Sequence, residues 1–286
     1  MELSQSVIKE ILYDRPEECH KGDFGYVALV GGSLEYSGAI RLAYLANAAM
    51  RAGAGVATAA APRSICPYII SHILESTLYP LSDDSGEMIF VEDEFRRLAD
   101  RYDCIAIGMG IGNTVQTQKA VRYLLENYKG ILIIDADGLN ALSAFPDRIR
   151  LLRESAAKVI LTPHPGEFRR LQTGGESAAE FAEAAGCIVL LKGHVTIVTD
   201  GHISYQIKCG CAGMATAGSG DVLSGILAAV CAYNPDRLIE AVATGVHING
   251  AAGELAQSQS CDITMTSADT ASCIKEVIRQ IRTDRI

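Results

Sequence analysis

The chain has 286 residues, of which 49% are hydrophobic and 21% charged, with a formal net charge of −9. The apolar share suffices for a large core, and no run approaches the ~18 uninterrupted apolar residues of a membrane span. The acidic balance argues against a general nucleic-acid binder, which carries a basic face, although loop amides can still hold a phosphate on an acidic protein.

In chain order, a helix is predicted over 3–13, with Val7, Ile8, Ile11 and Leu12 on one face and Pro16 beyond its end. YVALV (26–30) reads as a buried strand running into Gly31 and Gly32, and Ser37 as the cap of a long helix reaching about Met50. VATAA (56–60) is a strand, and CIAIG (104–108) a strand entering a glycine-rich loop before a helix over 115–127. ILIID (131–135) and VILT (159–162) are strands, with a short helix over 138–142 between them. A helix over 177–185 precedes the strand IVLLK (188–192), and TIVTDGHISY (196–205) reads as a hairpin turning at Asp200 and Gly201. Helices over 221–232, 236–257 and 267–281 close the chain. Apolar strands separated by helices imply a three-layer α/β/α domain with a mainly parallel central sheet, spanning 1–286 without linker or repeat. In such sheets ligands bind at the carboxyl ends of the strands.

The sharpest motif is MATAGSGDVLSGILAAV (214–230). Gly218, Ser219 and Gly220 let a backbone approach a phosphate closely, and the free amides of a first helical turn point at it. Asp221 then reads either as a general base toward a hydroxyl attacking that phosphate or as a helix cap after a glycine-rich turn. Five further loops stand at predicted strand ends: GGS followed by YSGA (31–39), GMGIG (108–112), DADGLNAL (135–142), TPHPGE (162–167) and the KG-x-x-T segment from Lys192 to Thr196. One glycine loop is weak evidence. Six in register with strand ends are hard to assign to packing.

Together these segments resemble the NAD(P)H-hydrate dehydratase family of the ribokinase-like superfamily, over nearly the whole chain from His20 to the last helix. The resemblance implies an ADP- or ATP-dependent hydro-lyase that restores NADH or NADPH hydrated at C6 of the nicotinamide ring. Phosphorylation of the C6 hydroxyl and loss of phosphate would achieve this. It implies Asp221 as the catalytic carboxylate, and Lys192, Gly193, His194, Val195, Thr196, Gly218, Ser219 and Gly220 as nucleotide contacts. Ala39, Gly110, His164 and Asp221 would meet the hydrated dinucleotide. It also implies Mg²⁺, a homotetramer and the (6S) epimer as substrate; many members carry an N-terminal epimerase domain, and with some twenty residues before the first motif a separately supplied epimerase is expected here. Ser219 stands where many members have Thr, and His194 where many have Ala.

Other readings stay open on residues alone. A thiazole or pyrimidine alcohol kinase of the same superfamily would share Asp221 and its loop, but not TPHPGE and YSGA together. Asp135 and Asp137 read as Mg²⁺ holders through water or as caps of the short helix. Lys192 reads as a phosphate-steering group or a solvated strand-end lysine, and His164 as a ligand contact held between two prolines or a surface turn residue. Tyr36 reads as a ring-stacking or packing residue, and His247 as a structural histidine. The nine cysteines, closest at Cys209 and Cys211, read as reduced thiols. The opening residues do not resemble a secretory signal, so the expected location is the cytoplasm, with no membrane or nucleic-acid partner.

Overall fold

The computed structural model describes residues 1–35, 48–70 and 75–283. The strands are β1 (Tyr26–Val30), β2 (Val56–Pro62), β3 (Thr77–Leu81), β4 (Asp83–Asp84), β5 (Glu87–Met88), β6 (Cys104–Ile107), β7 (Ile131–Ile134), β8 (Lys158–Leu161), β9 (Ile188–Leu191), β10 (Thr196–Thr199) and β11 (Ser204–Ile207). The described helices are α1 (Gln5–Ile11), α2 (Ala48–Arg51), α3 (Cys66–Ile69), α4 (Glu92–Arg101), α5 (Val115–Asn127), α6 (Asp137–Ser143), α7 (Arg148–Glu154), α8 (Pro165–Leu171), α9 (Ala178–Ala185), α10 (Ser219–Ala232), α11 (Leu238–Gln259) and α12 (Ser267–Arg282).

Nine strands form one sheet in the order β11-β10-β9-β8-β7-β6-β1-β2-β3, while β4 and β5 make a separate ribbon. Every pairing from β3 to β9 is parallel, and only β10 runs against its two neighbours. The expectation of a mainly parallel sheet between helices is met.

Side chains of a strand alternate faces, and here both faces are apolar and covered. Leu29, Ala106, Ile133 and Leu190 face one core, closed by α1, α2, α3, α10, α11 and α12. Val30, Ile107, Ile134 and Val189 face the other, closed by the helices from α4 to α9. The most enclosed helix is α10, with buried residues from Val222 to Ala232.

Several helix ends are set by local chemistry. Thr114 accepts the Thr117 amide at the start of α5, and Ser177 and Glu180 form a reciprocal capping box on α9. The predicted boundaries hold to within a few residues, with α1 shorter than expected at Gln5–Ile11 and α10 starting at Ser219 rather than Asp221. The helix predicted from Ser37 lies largely outside the described residues, as do Tyr36 and Ala39.

Candidate active site

Three loops at the carboxyl ends of neighbouring strands stack backbone on backbone. The Gly32 amide donates to the Met109 carbonyl at 2.7 Å, and a Cβ on Gly31 would lie 2.3 Å from that oxygen. Gly108, at φ 128°, passes so near the next loop that a Cβ there would meet the Asp135 carbonyl at 1.9 Å. The Asp137 carboxylate accepts the Gly112 amide at 2.9 Å. Between Asp135 and Asp137, Ala136 is held at φ 46°, a left-handed conformation that a side chain resists.

The next strand ends supply side chains. His164 caps α8: its Nδ1 accepts the amides of Gly166 at 2.9 Å and Glu167 at 3.3 Å, and its own amide donates to Glu167 at 2.8 Å. With Nδ1 accepting, a neutral ring carries its proton on Nε2. His164 is thus an exposed turn residue, as one reading had it, and its ring is fixed as a helix cap. At the end of β9, Lys192 turns inward and donates to Asp135 Oδ1 at 2.9 Å; the two side chains are 24% and 3% exposed. It is not a solvated strand-end lysine. The other Asp135 oxygen accepts the Ser224 hydroxyl of α10 at 2.9 Å. Burial alone would raise the Asp135 carboxyl, but the Lys192 ammonium and the donors Lys192, Thr162 and Ser224 outweigh it and hold it below the ordinary range.

Helix α10 begins at this point. Its cap is Gly218, in the left-handed conformation and without a side-chain cap, so Asp221 in the first turn does not cap the helix. Among the described residues the amides of Gly220 and Asp221 have no acceptor. A Cβ on Gly220 would lie 3.5 Å from Lys192 Nζ. Burial, then the negative charge of Asp135, push the Asp221 carboxyl up to about 7 against the pull of Lys192.

A cleft of about 720 Å³ opens beside these groups, and His164, Lys192, Gly193, His194, Thr196, Ser219 and Gly220 all line it. Gly218 and Asp221 adjoin it at the helix start, and Val195 lies in the turn between β9 and β10. The expectation that Gly220 and His164 serve separate ligands meets a single cleft lined by both. Gly110, at φ 62°, lies in the central stacked loop and is not a wall of this cleft. A second cleft of about 550 Å³ lies against Ser33, Leu34, Gly112, Asn113 and Thr114.

Sequence reasoning missed one wall, formed by the segment from Cys209 to Ala212, by Met214 and Ala215, and by Val246, Asn249 and Gly250 of α11. Its signal was the small residues of α11: a Cβ on Gly250 would sit 2.5 Å from the Cys209 carbonyl, and one on Gly253 2.3 Å from Met214 Sδ. His247 belongs to the same helix, and burial lowers its pKa.

Asp135 and Asp137, read from the sequence as holders of Mg²⁺ through water, both have protein partners. The first is engaged by Lys192 and Ser224 and the second by the Gly112 amide. Among the described residues no cluster of three or more His, Cys, Asp or Glu side chains suits a metal.

The nine-stranded, mainly parallel sheet between two helical layers is the ribokinase-like architecture. A ribokinase from Thermotoga maritima shares the fold at a TM-score of 0.53 and 16% identity, covering 91% of this chain and all of that one. Residues 27–276 match the family model described as NAD(P)H-hydrate dehydratase, and the chain belongs to that family. It is 36% identical to the bifunctional NAD(P)H-hydrate repair enzyme Nnr of Pyrobaculum aerophilum, over 94% of this chain and 53% of that protein. It thus spans about half the length of the first relatives it matches. It is 31% identical to the ADP-dependent (S)-NAD(P)H-hydrate dehydratase of Nitrosopumilus maritimus, over 97% and 96% of the two chains. A Bacillus subtilis ADP/ATP-dependent NAD(P)H-hydrate dehydratase co-crystallised with ATP and Mg²⁺ superposes with a TM-score of 0.81 and 27% identity, covering 98% of each chain.

Proposed function

We propose that this chain dehydrates the (6S) hydrate of NADH or NADPH at the expense of ADP or ATP. The observation that carries the reading is the meeting of the unpaired Gly220 and Asp221 amides, the inward Lys192 ammonium and a carboxylate pushed up to about 7, at the edge of one cleft. The amides and the helix N-terminus favour a nucleotide phosphate, with the Lys192 to Thr196 segment as the facing wall. The hydrated ring comes from the side of the stacked loops, where Gly110 and the second cleft lie. Asp221 lies in the first turn of α10, within electrostatic reach of Asp135 at the end of the central strand β7.

Asp221 takes the proton of the C6 hydroxyl as its oxygen attacks the terminal phosphorus, and the bridging P–O bond breaks, releasing AMP from ADP or ADP from ATP. The C6–O bond then breaks with departure of inorganic phosphate, a proton leaves C5, and the C5–C6 double bond returns. Positive charge at Lys192 and the helix amides stabilise the transferring phosphoryl group. Mg²⁺ bound with the nucleotide would supply charge neutralisation at its phosphates.

We also propose a cytoplasmic homotetramer, served by an epimerase that acts as a separate unit. No helix among the described residues is long and apolar enough to cross a membrane. Sedimentation velocity checks the tetramer.

Incubation of hydrated NADH with the protein and each nucleotide tests the central reading. Absorbance at 340 nm should recover with release of free phosphate, and an epimeric mixture should leave a residue that added epimerase clears. A stable phosphorylated product would instead mark an alcohol kinase, and no recovery with either nucleotide would overturn the dehydratase.

A further inference from the structure

Lys192 ends a strand whose neighbours at that edge face the cleft, yet its ammonium folds inward to Asp135 rather than out to water. A buried ammonium without a counter-charge tends to lose its proton. Asp135 supplies the charge from one oxygen. Its other oxygen is held by Ser224, one turn beyond Gly220 and Asp221 on α10. The carboxylate therefore ties the lysine to the helix that carries the phosphate loop. A Cβ on Gly220 would lie 3.5 Å from Lys192 Nζ and 3.7 Å from Asp135 Oδ2, so all three groups meet at one point.

We infer that Asp135 is a positioning residue: it keeps Lys192 charged and aimed at the nucleotide phosphate beside Gly220, and through Ser224 it fixes the start of α10. This deepens the reading above and rests on it for the identity of the anion. The charged groups facing Lys192 are Asp135 at the end of β7, Glu167 on α8 and Asp221 on α10, with His164 and His194 in the same cleft. The Glu167 carboxylate is engaged by His164, so among the described residues Asp135 is the direct partner of the ammonium. Burial would lower the lysine's pKa, but Asp135 foremost, then Glu167 and Asp221, hold it above its ordinary value.

Replacing Asp135 by Asn removes the counter-charge while keeping the shape. The Lys192 pKa should then fall, and the ammonium should be lost as pH rises through the lowered value. Calorimetric titration of ADP and of adenosine between about pH 8 and about pH 10 reads this, with the parent protein as the control for the Cys209 and Cys211 thiols that share the cleft. In the parent protein, ADP affinity should hold flat across most of the window. In Asp135→Asn it should fall about tenfold from the lower to the upper end, the size expected of one lost charge-assisted contact. Adenosine, which has no phosphate, should bind both proteins equally at every pH. A flat ADP profile in Asp135→Asn, or an equal loss for adenosine, overturns the inference. Should that variant fail to fold, Ser224→Ala keeps the ion pair and cuts only the link to the helix. It should lower kcat about tenfold with ADP affinity unchanged, and an unaltered kcat overturns the link. Failure of the parent to restore hydrated NADH would sink the functional reading and the Ser224 arm that is read by kcat, whereas the ADP profile still decides whether Asp135 keeps Lys192 charged.

Discussion

Asp221 is pushed up to about 7 by burial and by Asp135, with Lys192 opposing. As the proposed general base, Asp221 works only when deprotonated, so turnover should fall as pH drops through about 7, and the acid limb of the pH–rate profile checks it. Asp221→Asn should lower kcat by ~10²–10⁴-fold while ADP still binds. The same shift acts on stability. A carboxyl raised in the fold contributes stability below its usual 3.8 and loses it as pH rises through about 7. Asp221→Asn should therefore melt higher than the parent at about pH 8, by on the order of 2 kcal/mol, and the gain should vanish near about pH 4. A variant that melts lower at both values would contradict the burial argument. Gly220 supplies a complementary test. A Cβ there meets Lys192 Nζ and Asp135 Oδ2 at ordinary contact distance, so Gly220→Ala should keep or slightly raise the melting temperature. It should nevertheless weaken ADP about tenfold or more, because the methyl group stands in the path of the proposed phosphate contact.

The glycines of the stacked loops behave differently. Gly108→Ala would drive a methyl group into the Asp135 carbonyl at 1.9 Å, whereas Gly112→Ala would meet only Thr114 at 3.6 Å, although both have positive φ. Gly112→Ala should cost about 1 kcal/mol of backbone strain, and Gly108→Ala several-fold more or outright misfolding, as thermal melts would show. The apolar strand runs and the glycine-rich strand ends were legible because both faces of the sheet are buried, which leaves uninterrupted Val, Ile and Leu. Strand β3 was not, because Pro80 interrupts TLYPL, and a proline is tolerated there only because the strand lies at the sheet edge. Helix α4 was hidden by its charge: in EDEFRRLADR only Phe95 and Leu98 are buried apolar side chains. The inward turn of Lys192 and its pairing with Asp135 were equally hidden, since 57 residues separate the two and no local pattern encodes the contact.

On the scale of the molecule, one sheet separates two cores that share its backbone, so neither can melt alone. Ile133→Ala and Ile134→Ala strike opposite faces from adjacent positions. Each should cost about 2–5 kcal/mol, yet far-UV and near-UV melts should still coincide in a single transition. Separate transitions would mean that the two layers unfold independently. The placement of α10, α11 and α12 carries a consequence for biosynthesis. They cover much of one sheet face, but every residue of the sheet from β1 to β11 precedes them in the chain. While the polypeptide leaves the ribosome, Leu29, Ala106, Ile133 and Leu190 are made long before their cover exists. The nascent chain thus carries a broad sticky surface until its final quarter emerges, and a stall before residue 219 would leave a species suited to chaperone capture and lacking the proposed phosphate loop.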